Sequence, residues 1–270
     1  MTTRAPITSD ISGELVVLGT GTSVGVPALG CGCEVCQSDH PRNRRSRCSV
    51  ILGLPGGNLL IDTSPDMRIQ LLREKIGIVH AVVYTHEHAD HIMGMDDLRL
   101  FQFYLGHAVP AYCEPPVEKT LRSAFAYAFA DVQPTHPGAT PSIDLHEIEP
   151  YRSVNLLGTD ILPVRLHHGP RFDVLGFRVG NVAYCTDTSR IPPESMDRLQ
   201  GLDVLILDAL RYDPHPTHFG LEQAVEVAQQ IGARKTYLTH CSCRLDYETV
   251  NRQTPEEVEM AYDGLRIPLT

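Results

Sequence analysis

The sequence predicts an α/β protein: two mixed β-sheets packed against each other, flanked by helices, in one domain spanning 1–270. Three observations carry that expectation. Short apolar runs rich in β-branched residues arrive in two groups, each followed by helical patterns. No repeat, low-complexity tract or linker divides them. His and Asp residues stand repeatedly where these runs end and loops begin.

Taken in order, Leu15-Val16-Val17-Leu18 reads as a strand, and Gly19-Thr20-Gly21 as a tight turn or close backbone approach. This turn lacks the Lys-Ser/Thr of a phosphate loop. Cys31-Gly32-Cys33-Glu34-Val35-Cys36 follows, then a basic loop carrying Arg42, Arg44, Arg45 and Arg47. Residues 49–52 and 58–61 read as strands joined at Pro55-Gly56-Gly57. Asp62-Thr63-Ser64-Pro65-Asp66 then opens a helix, with Pro65 suited to its first position. Ala81-Val82-Val83-Tyr84 is a buried strand, 92–103 a helix, 109–112 a strand and 117–129 an apolar helix. Residues 131–142, with three prolines and a glycine, form a loop and a candidate lid. Strands cluster from Asp144 to Cys185, with a hairpin at Gly180-Asn181, and 204–207 is a further buried strand. Leu221, Ala224, Val225, Ala228 and Ile231 make a helical stripe that Gly232 stops, and Tyr237-Leu238-Thr239 leads into His240.

The chemistry concentrates in Thr85-His86-Glu87-His88-Ala89-Asp90-His91, just after a strand. Imidazole and carboxylate are ligands for divalent metals such as Zn, Fe and Mn. Four such groups within six residues exceed what one catalytic ion takes from a single loop, so two ions are expected. This motif resembles the signature of the metallo-β-lactamase-fold hydrolases, and the similarity extends over nearly the whole chain. The resemblance implies an αββα sandwich. It also implies that His86, His88 and His168 hold one ion and Asp90, His91 and His240 the second, with Asp187 bridging. His167 competes with His168, which is favoured because it directly precedes Gly169. Asp62 matches a family position that stands behind the metal loop and holds a ligand in place. Two such ions share a water, lower its pKa and polarise the scissile oxygen. Asp90 and Asp187 thus enter the catalytic set.

Asp187 also separates subclasses, since dinuclear β-lactamases of the family place Cys there, whereas phosphodiesterases and glyoxalase-II-like thioesterases place Asp. The segment His215-Pro216-Thr217-His218-Phe219 resembles that of phosphoribosyl cyclic-phosphate phosphodiesterases. By that resemblance His218 is the general acid and His215 orients the loop. The same enzymes carry Cys-x-Cys-x-x-Cys, which here is Cys31, Cys33 and Cys36, and complete it with a His where this chain has Cys243. A structural zinc on Cys31, Cys33, Cys36 and Cys243 is expected, within an N-terminal loop near 31–48, with Cys241 and His40 as rival fourth ligands. Cys48, Cys113 and Cys185 read as buried small residues. The Arg42–Arg47 loop reads as a solvated loop, with phosphate contact as its alternative.

The expected function is a dinuclear metal-dependent phosphodiesterase acting on a small, cyclic ribose phosphate. Mn, Zn or Fe can serve in the active site, and the resemblance favours Mn there, Zn in the cysteine site and a homodimer. Alternatives are an oxidative enzyme of pyrroloquinoline quinone biosynthesis, a transfer-RNA 3′-processing nuclease, and a non-catalytic scaffold. A nuclease of that type uses a long RNA-gripping arm, which finds no counterpart here. The net charge of −10 argues against broad adhesion to nucleic acid or acidic lipid. No apolar run approaches the ~18 residues of a membrane span, and the polar start points to the cytoplasm. Hydrophobic and charged contents of 42% and 21% suit an enzyme with an ample core.

Overall fold

Fourteen strands form two seven-stranded sheets in this computed structural model, which describes residues 5–131 and 135–269. The first sheet contains β1 (Glu14–Gly19), β2 (Ser49–Leu54), β3 (Gly57–Ile61), β4 (Ala81–Val83), β5 (Val109–Cys113) and β6 (Ile143–Glu147). The second contains β7 (Val154–Leu156), β8 (Thr159–His168), β9 (Phe172–Val179), β10 (Val182–Cys185), β11 (Val204–Asp208), β12 (Lys235–Thr239) and β13 (Val258–Met260). The last strand, β14 (Arg266–Pro268), returns to pair with β1 in the first sheet. The orders β14-β1-β2-β3-β4-β5-β6 and β7-β8-β9-β10-β11-β12-β13 share one pattern, three antiparallel pairings followed by three parallel ones.

The strands read as unbroken apolar runs because both of their faces are covered. Leu15, Val17, Val50, Leu52, Leu59 and Ile61 meet Leu175, Phe177, Tyr184 and Ile206 in a core between the sheets. The alternate residues Val16, Leu18, Ile51, Leu60 and Val82 face helices on the outer side of the first sheet. Ala183, Cys185, Leu205 and Leu207 do the same on the second, against Ala224, Ala228 and Ile231 of the helix Leu221–Ile231. Three apolar layers therefore separate four layers of backbone. Each fully buried Leu, Ile or Val contributes roughly 1.5–3 kcal/mol.

The local readings were right about most elements and wrong at three helices. The helix expected over 92–103 is broken into Ala89–Ile92, a 3-10 turn at Met95–Leu100 and Phe101–Leu105. Gly94 marks the break: its N–H donates to the Thr63 carbonyl, and a Cβ there would stand 2.1 Å from the Ser64 oxygen. Backbone contact with the loop after β3 overrides helical propensity at that point. Likewise 117–129 divides at Phe125 into Pro115–Ala124 and Ala126–Phe129. Pro65 lies before the helix Met67–Glu74 and not in its first turn, the N-cap being Asp66. The hairpin at Gly180-Asn181 joins β9 to β10. Of the candidate lid at 131–142, residues 132–134 lie outside the described residues.

Gly19 and Gly21 serve close approach: Cβ atoms there would stand 2.0 Å and 2.7 Å from backbone oxygens of Arg47 and Arg45. Among the described residues no helix is long and apolar enough to cross a membrane.

Candidate metal centre

Ligands in open α/β sheets collect beyond the carboxyl ends of parallel strands. In this chain the ends of β3, β4, β10, β11 and β12 converge from both sheets. Three non-glycine residues directly at those ends adopt left-handed backbone: Asp62 (φ 65°), Asp187 (φ 54°) and His240 (φ 58°). Such conformations cost on the order of 1–3 kcal/mol each for non-glycine residues. They turn the chain sharply, so that side chains from different strands meet.

Two donor groups result. His86, His88 and His168 bring their ligand atoms within 4.8 Å of one another, and so do Asp90, His91, Asp187 and His240. Asp187 lies between them: one carboxylate oxygen is 3.3 Å from His240 Nε2 and 4.0 Å from His86 Nε2, the other 3.3 Å from His91 Nε2. All seven residues singled out by the motif reading come together, with the Asp187 carboxylate between the two groups.

Buried polar atoms are normally hydrogen-bonded. Here His86 Nε2, His91 Nε2 and both ring nitrogens of His240 are buried with no hydrogen-bond partner. Neighbouring groups explain which nitrogen is left. His91 Nδ1 donates to Asp62 at 2.7 Å. Thr85 Oγ1 gives its one proton to Asp62 Oδ2 at 2.7 Å, so its oxygen accepts from His86 Nδ1 at 2.9 Å. His168 Nδ1 donates to the Thr217 carbonyl at 2.7 Å. In each case the Nε2 lone pair is turned into the site, as second-shell partners do for metal-bound histidines. Asp62 is fully buried behind the loop, accepting from Thr85 and His91.

Electrostatics agrees with a cation binding here. Burial pushes His86 and His168 well towards the neutral, ligating form. Burial also opposes charge on His91, but Asp187, Asp62 and Asp90 overcome it and raise its pKa. The site thus holds more carboxylate charge than its own side chains neutralise. Orphaned donors and excess negative charge together fit divalent metal ions.

His218 projects into the same space from the loop after β11. Its ring stacks on His240 at 4.6 Å and 13°, and meets His168 edge-on at 4.6 Å. Behind it, Asp208 is completely buried and accepts from His218 Nδ1 at 2.6 Å and from the Thr188 N–H at 2.8 Å. Burial works against a charged His218, yet the Asp208 carboxylate, with help from Asp187 and Asp90, pushes its pKa up to about 9. His215 accepts from Thr217 N–H at 3.4 Å and ties down its own loop.

Residues 57–241 match the family described as "Beta-lactamase superfamily domain". A crystal structure described as a new diphosphatase from the PhnP family is 43% identical, with a TM-score of 0.87 and coverage of 94% of this chain and 96% of that one. This chain belongs to the β-lactamase superfamily, and within it to the PhnP family. As a PhnP-family chain it is an enzyme, a metal-dependent hydrolase of the metallo-β-lactamase fold, and the family implies divalent metals at its His/Asp groups. The protein named Octanoyltransferase from Porphyromonas gingivalis (strain ATCC BAA-308 / W83) is 36% identical across 93% of this chain and 50% of that protein, so the chain spans about half of that relative. Zinc-bound PqqB from Methylobacterium extorquens, at 18% identity, TM-score 0.77 and coverage of 95% of this chain and 100% of that one, shares the fold.

The PhnP-family chain also carries a second donor cluster. Cys31, Cys33, Cys36 and Cys243 place their sulfurs within 4.8 Å of one another. The N–H of Cys36 donates towards Cys33 and brings its thiol down to about 7, while burial and the adjacent thiols push Cys243 up to about 12. Four convergent sulfurs are the donor set of a closed structural zinc site. Both rivals for the fourth position lie elsewhere. Cys241 is buried with its thiol towards the Thr239 carbonyl at 3.5 Å, and His40 faces Glu248 at 3.3 Å.

Three further outcomes refine the motif reading. His167 points away from the centre, towards Asp173 at 2.7 Å. Two arginines of the Arg42–Arg47 loop, read as solvated, are tied down by the fold: buried Arg45 donates to the carbonyls of Ser242 (2.9 Å) and Leu245 (2.7 Å), and Arg47 pairs with Asp66 at 3.0 Å. Asp208 was not singled out among the candidate residues. Its signal was an acid closing the apolar run Val204-Leu205-Ile206-Leu207, one of the few places where a carboxylate in so apolar a stretch needs a partner.

Proposed function

We propose that this chain is a dinuclear metal-dependent hydrolase of small phosphodiesters, with a cyclic ribose phosphate as the fitting substrate type and His218 as general acid. The buried Asp208–His218 pair, with its ring against both His168 and His240, carries the reading. A histidine held protonated near neutral pH, beside rather than within the two donor groups, is placed to serve a leaving oxygen.

In this reading His86, His88 and His168 bind one ion, and Asp90, His91 and His240 the other, with Asp187 shared. Mn and Zn both suit these donors, and Fe is compatible. When bound, such a pair supplies a nucleophilic water at neutral pH and polarises the phosphoryl oxygens. The protein's own part is positional. Asp62 and Thr85 hold His91 and His86 in the ligating tautomer, and the buried walls keep bulk water from competing. His218 delivers its Nε2 proton to the departing oxygen, and Asp208 stabilises the imidazolium until that transfer. Cys31, Cys33, Cys36 and Cys243 take a structural zinc that ties the N-terminal loop to the segment following His240.

A second reading, cleavage of a diphosphate linkage, is favoured by the description of the 43% identical structure as a diphosphatase. Both reactions break a phosphorus–oxygen bond and need the same acid. Hydrolysis of bis(p-nitrophenyl) phosphate and of a dinucleoside diphosphate, by chelator-stripped protein and after adding Mn or Zn, tests the assignment. Metal-restored turnover is expected, the preferred probe decides between the two readings, and His218→Ala with its ions retained is expected to suppress cleavage of a diester with an alkoxide leaving group far more than that of bis(p-nitrophenyl) phosphate. A fully metallated protein inert towards both would overturn it.

A further inference from the structure

The carboxylate between the two donor groups has one rotation that its backbone does not set. The left-handed turn at Asp187 aims the side chain into the centre, but the torsion about Cβ–Cγ of an aspartate is broad and two-fold. Its two oxygens nonetheless face different neighbours. Oδ1 looks towards both donor groups, 3.3 Å from His240 Nε2 and 4.0 Å from His86 Nε2. Oδ2 lies on the side of the second group, 3.3 Å from His91 Nε2.

One contact selects this orientation. The Thr186 hydroxyl donates to Oδ2 at 2.6 Å, and apart from the histidines no other group among the described residues hydrogen-bonds the carboxylate. That length belongs to a charge-assisted O–H···O⁻ bond, roughly twice as strong as a neutral one. Thr186 is completely buried, and its β-branched side chain is stiff at χ1, so the hydroxyl is held where it stands. The space behind it is closed. Cys48 is fully buried, lies close to both Thr186 and Asp187, and shares a hydrogen bond with the Thr239 hydroxyl at 3.3 Å. Tyr184, two residues back along the strand and on the same face, is buried beside Thr186 as well. Bulk water does not reach Oδ2 from that side to replace a lost hydroxyl.

We propose that Thr186 is a positioning residue of the metal centre: by holding Oδ2 it keeps Oδ1 turned towards both donor groups, which lets one carboxylate serve two ions. This role rests on the two-ion reading with Asp187 shared, and names the group that makes sharing possible. Without the hydroxyl the carboxylate is free to turn both oxygens to the side of His91 and His240. The group formed by His86, His88 and His168 then loses its carboxylate ligand, and its ion is the one that weakens.

Titration of chelator-stripped protein with Mn, followed by electron paramagnetic resonance, tests this without turnover. Ions bridged by a common ligand couple their spins, and isolated ions do not. Wild type is expected to take two Mn and give the coupled spectrum. Thr186→Val keeps the shape and removes the hydroxyl. It is expected to bind the weaker ion about 10–100-fold less tightly, and to lose coupling at Mn concentrations that saturate wild type. Thr186→Ser, which restores the hydroxyl but not the lost methyl, is expected to recover most of both; a purely packing role would leave it impaired. Thr186→Ala repeats the comparison should the valine variant melt earlier than wild type. Equal affinities and coupled spectra in wild type and the hydroxyl-free variants overturn the role of Thr186 and leave the two-ion reading standing. A wild type that takes a single Mn, or two without coupling, overturns the shared carboxylate and this role with it.

Discussion

Asp208→Asn is the most informative single change, because it removes a charge that touches only the proposed acid and the Thr188 N–H. The His218 pKa is raised from 6.5 to about 9. That difference of about 2.5 units corresponds to roughly 3 kcal/mol in favour of the imidazolium. Burial opposes it, Asp208 is the leading favourable contributor, and Asp187 and Asp90 supply the rest, a share that bound cations would cancel. His218 at 8% exposure is shielded enough for most of the Asp208 share to survive solvent screening. The sign follows from linkage. A raised folded-state pKa means that the pair's contribution is complete below pH 6.5 and lost as pH climbs through about 9. The protonated fraction, and with it acid catalysis, follows the same window. In Asp208→Asn the alkaline fall in kcat is expected to move down by one to two pH units, so that at pH 8 the protonated fraction, and with it kcat for a substrate with an alkoxide leaving group, falls roughly 2–10-fold. With p-nitrophenolate, which departs without a proton, the loss is expected to be much smaller. The assay is a pH–rate profile on both substrates, with metal content measured alongside. An unchanged alkaline limb, or equal losses on both leaving groups with metals retained, would refute the acid role.

Other perturbations test the supporting structure. Asp62→Ala frees His91 Nδ1 and the Thr85 hydroxyl, so metal affinity at the second donor group should fall about 10–100-fold; equilibrium dialysis showing undiminished stoichiometry at limiting metal would count against it. Cys243→Ser should lower bound zinc by one per chain by elemental analysis and reduce the melting temperature, whereas Cys241→Ser should leave zinc content unchanged; the reverse pattern would move the fourth ligand. Arg45→Met strands the Ser242 and Leu245 carbonyls, at a cost of roughly 2–4 kcal/mol in denaturant unfolding; a loss under 1 kcal/mol would mean that water replaces the guanidinium.

How much was legible before folding depends on how local each feature is. His86, His88, Asp90 and His91 could be read together because six residues of one loop carry them, and no distant element is needed to bring them within reach. Strand faces were equally readable, since alternation and β-branching follow from the pleat. The helix breaks at Gly94 and Phe125 were not, because at Gly94 the loop after β3 intrudes on the backbone. Likewise the four arginines of the 42–47 loop look alike in sequence. Only the closure of residues 242–245 over Arg45 makes one of them a buried strut and leaves Arg44 in solvent.

By itself, then, the sequence determined the chemistry on offer: imidazoles, carboxylates and thiols at strand ends, in an order that identifies the family. The tertiary structure decided which of them meet. It chose His168 over its neighbour His167 because strand side chains alternate and only one faces the centre. It selected Cys243 over Cys241, whose buried thiol turns back to the Thr239 carbonyl, and gave His218 a buried partner in Asp208. Such pairings join residues from separate strands and loops, and no pattern along the chain records a distance across two sheets.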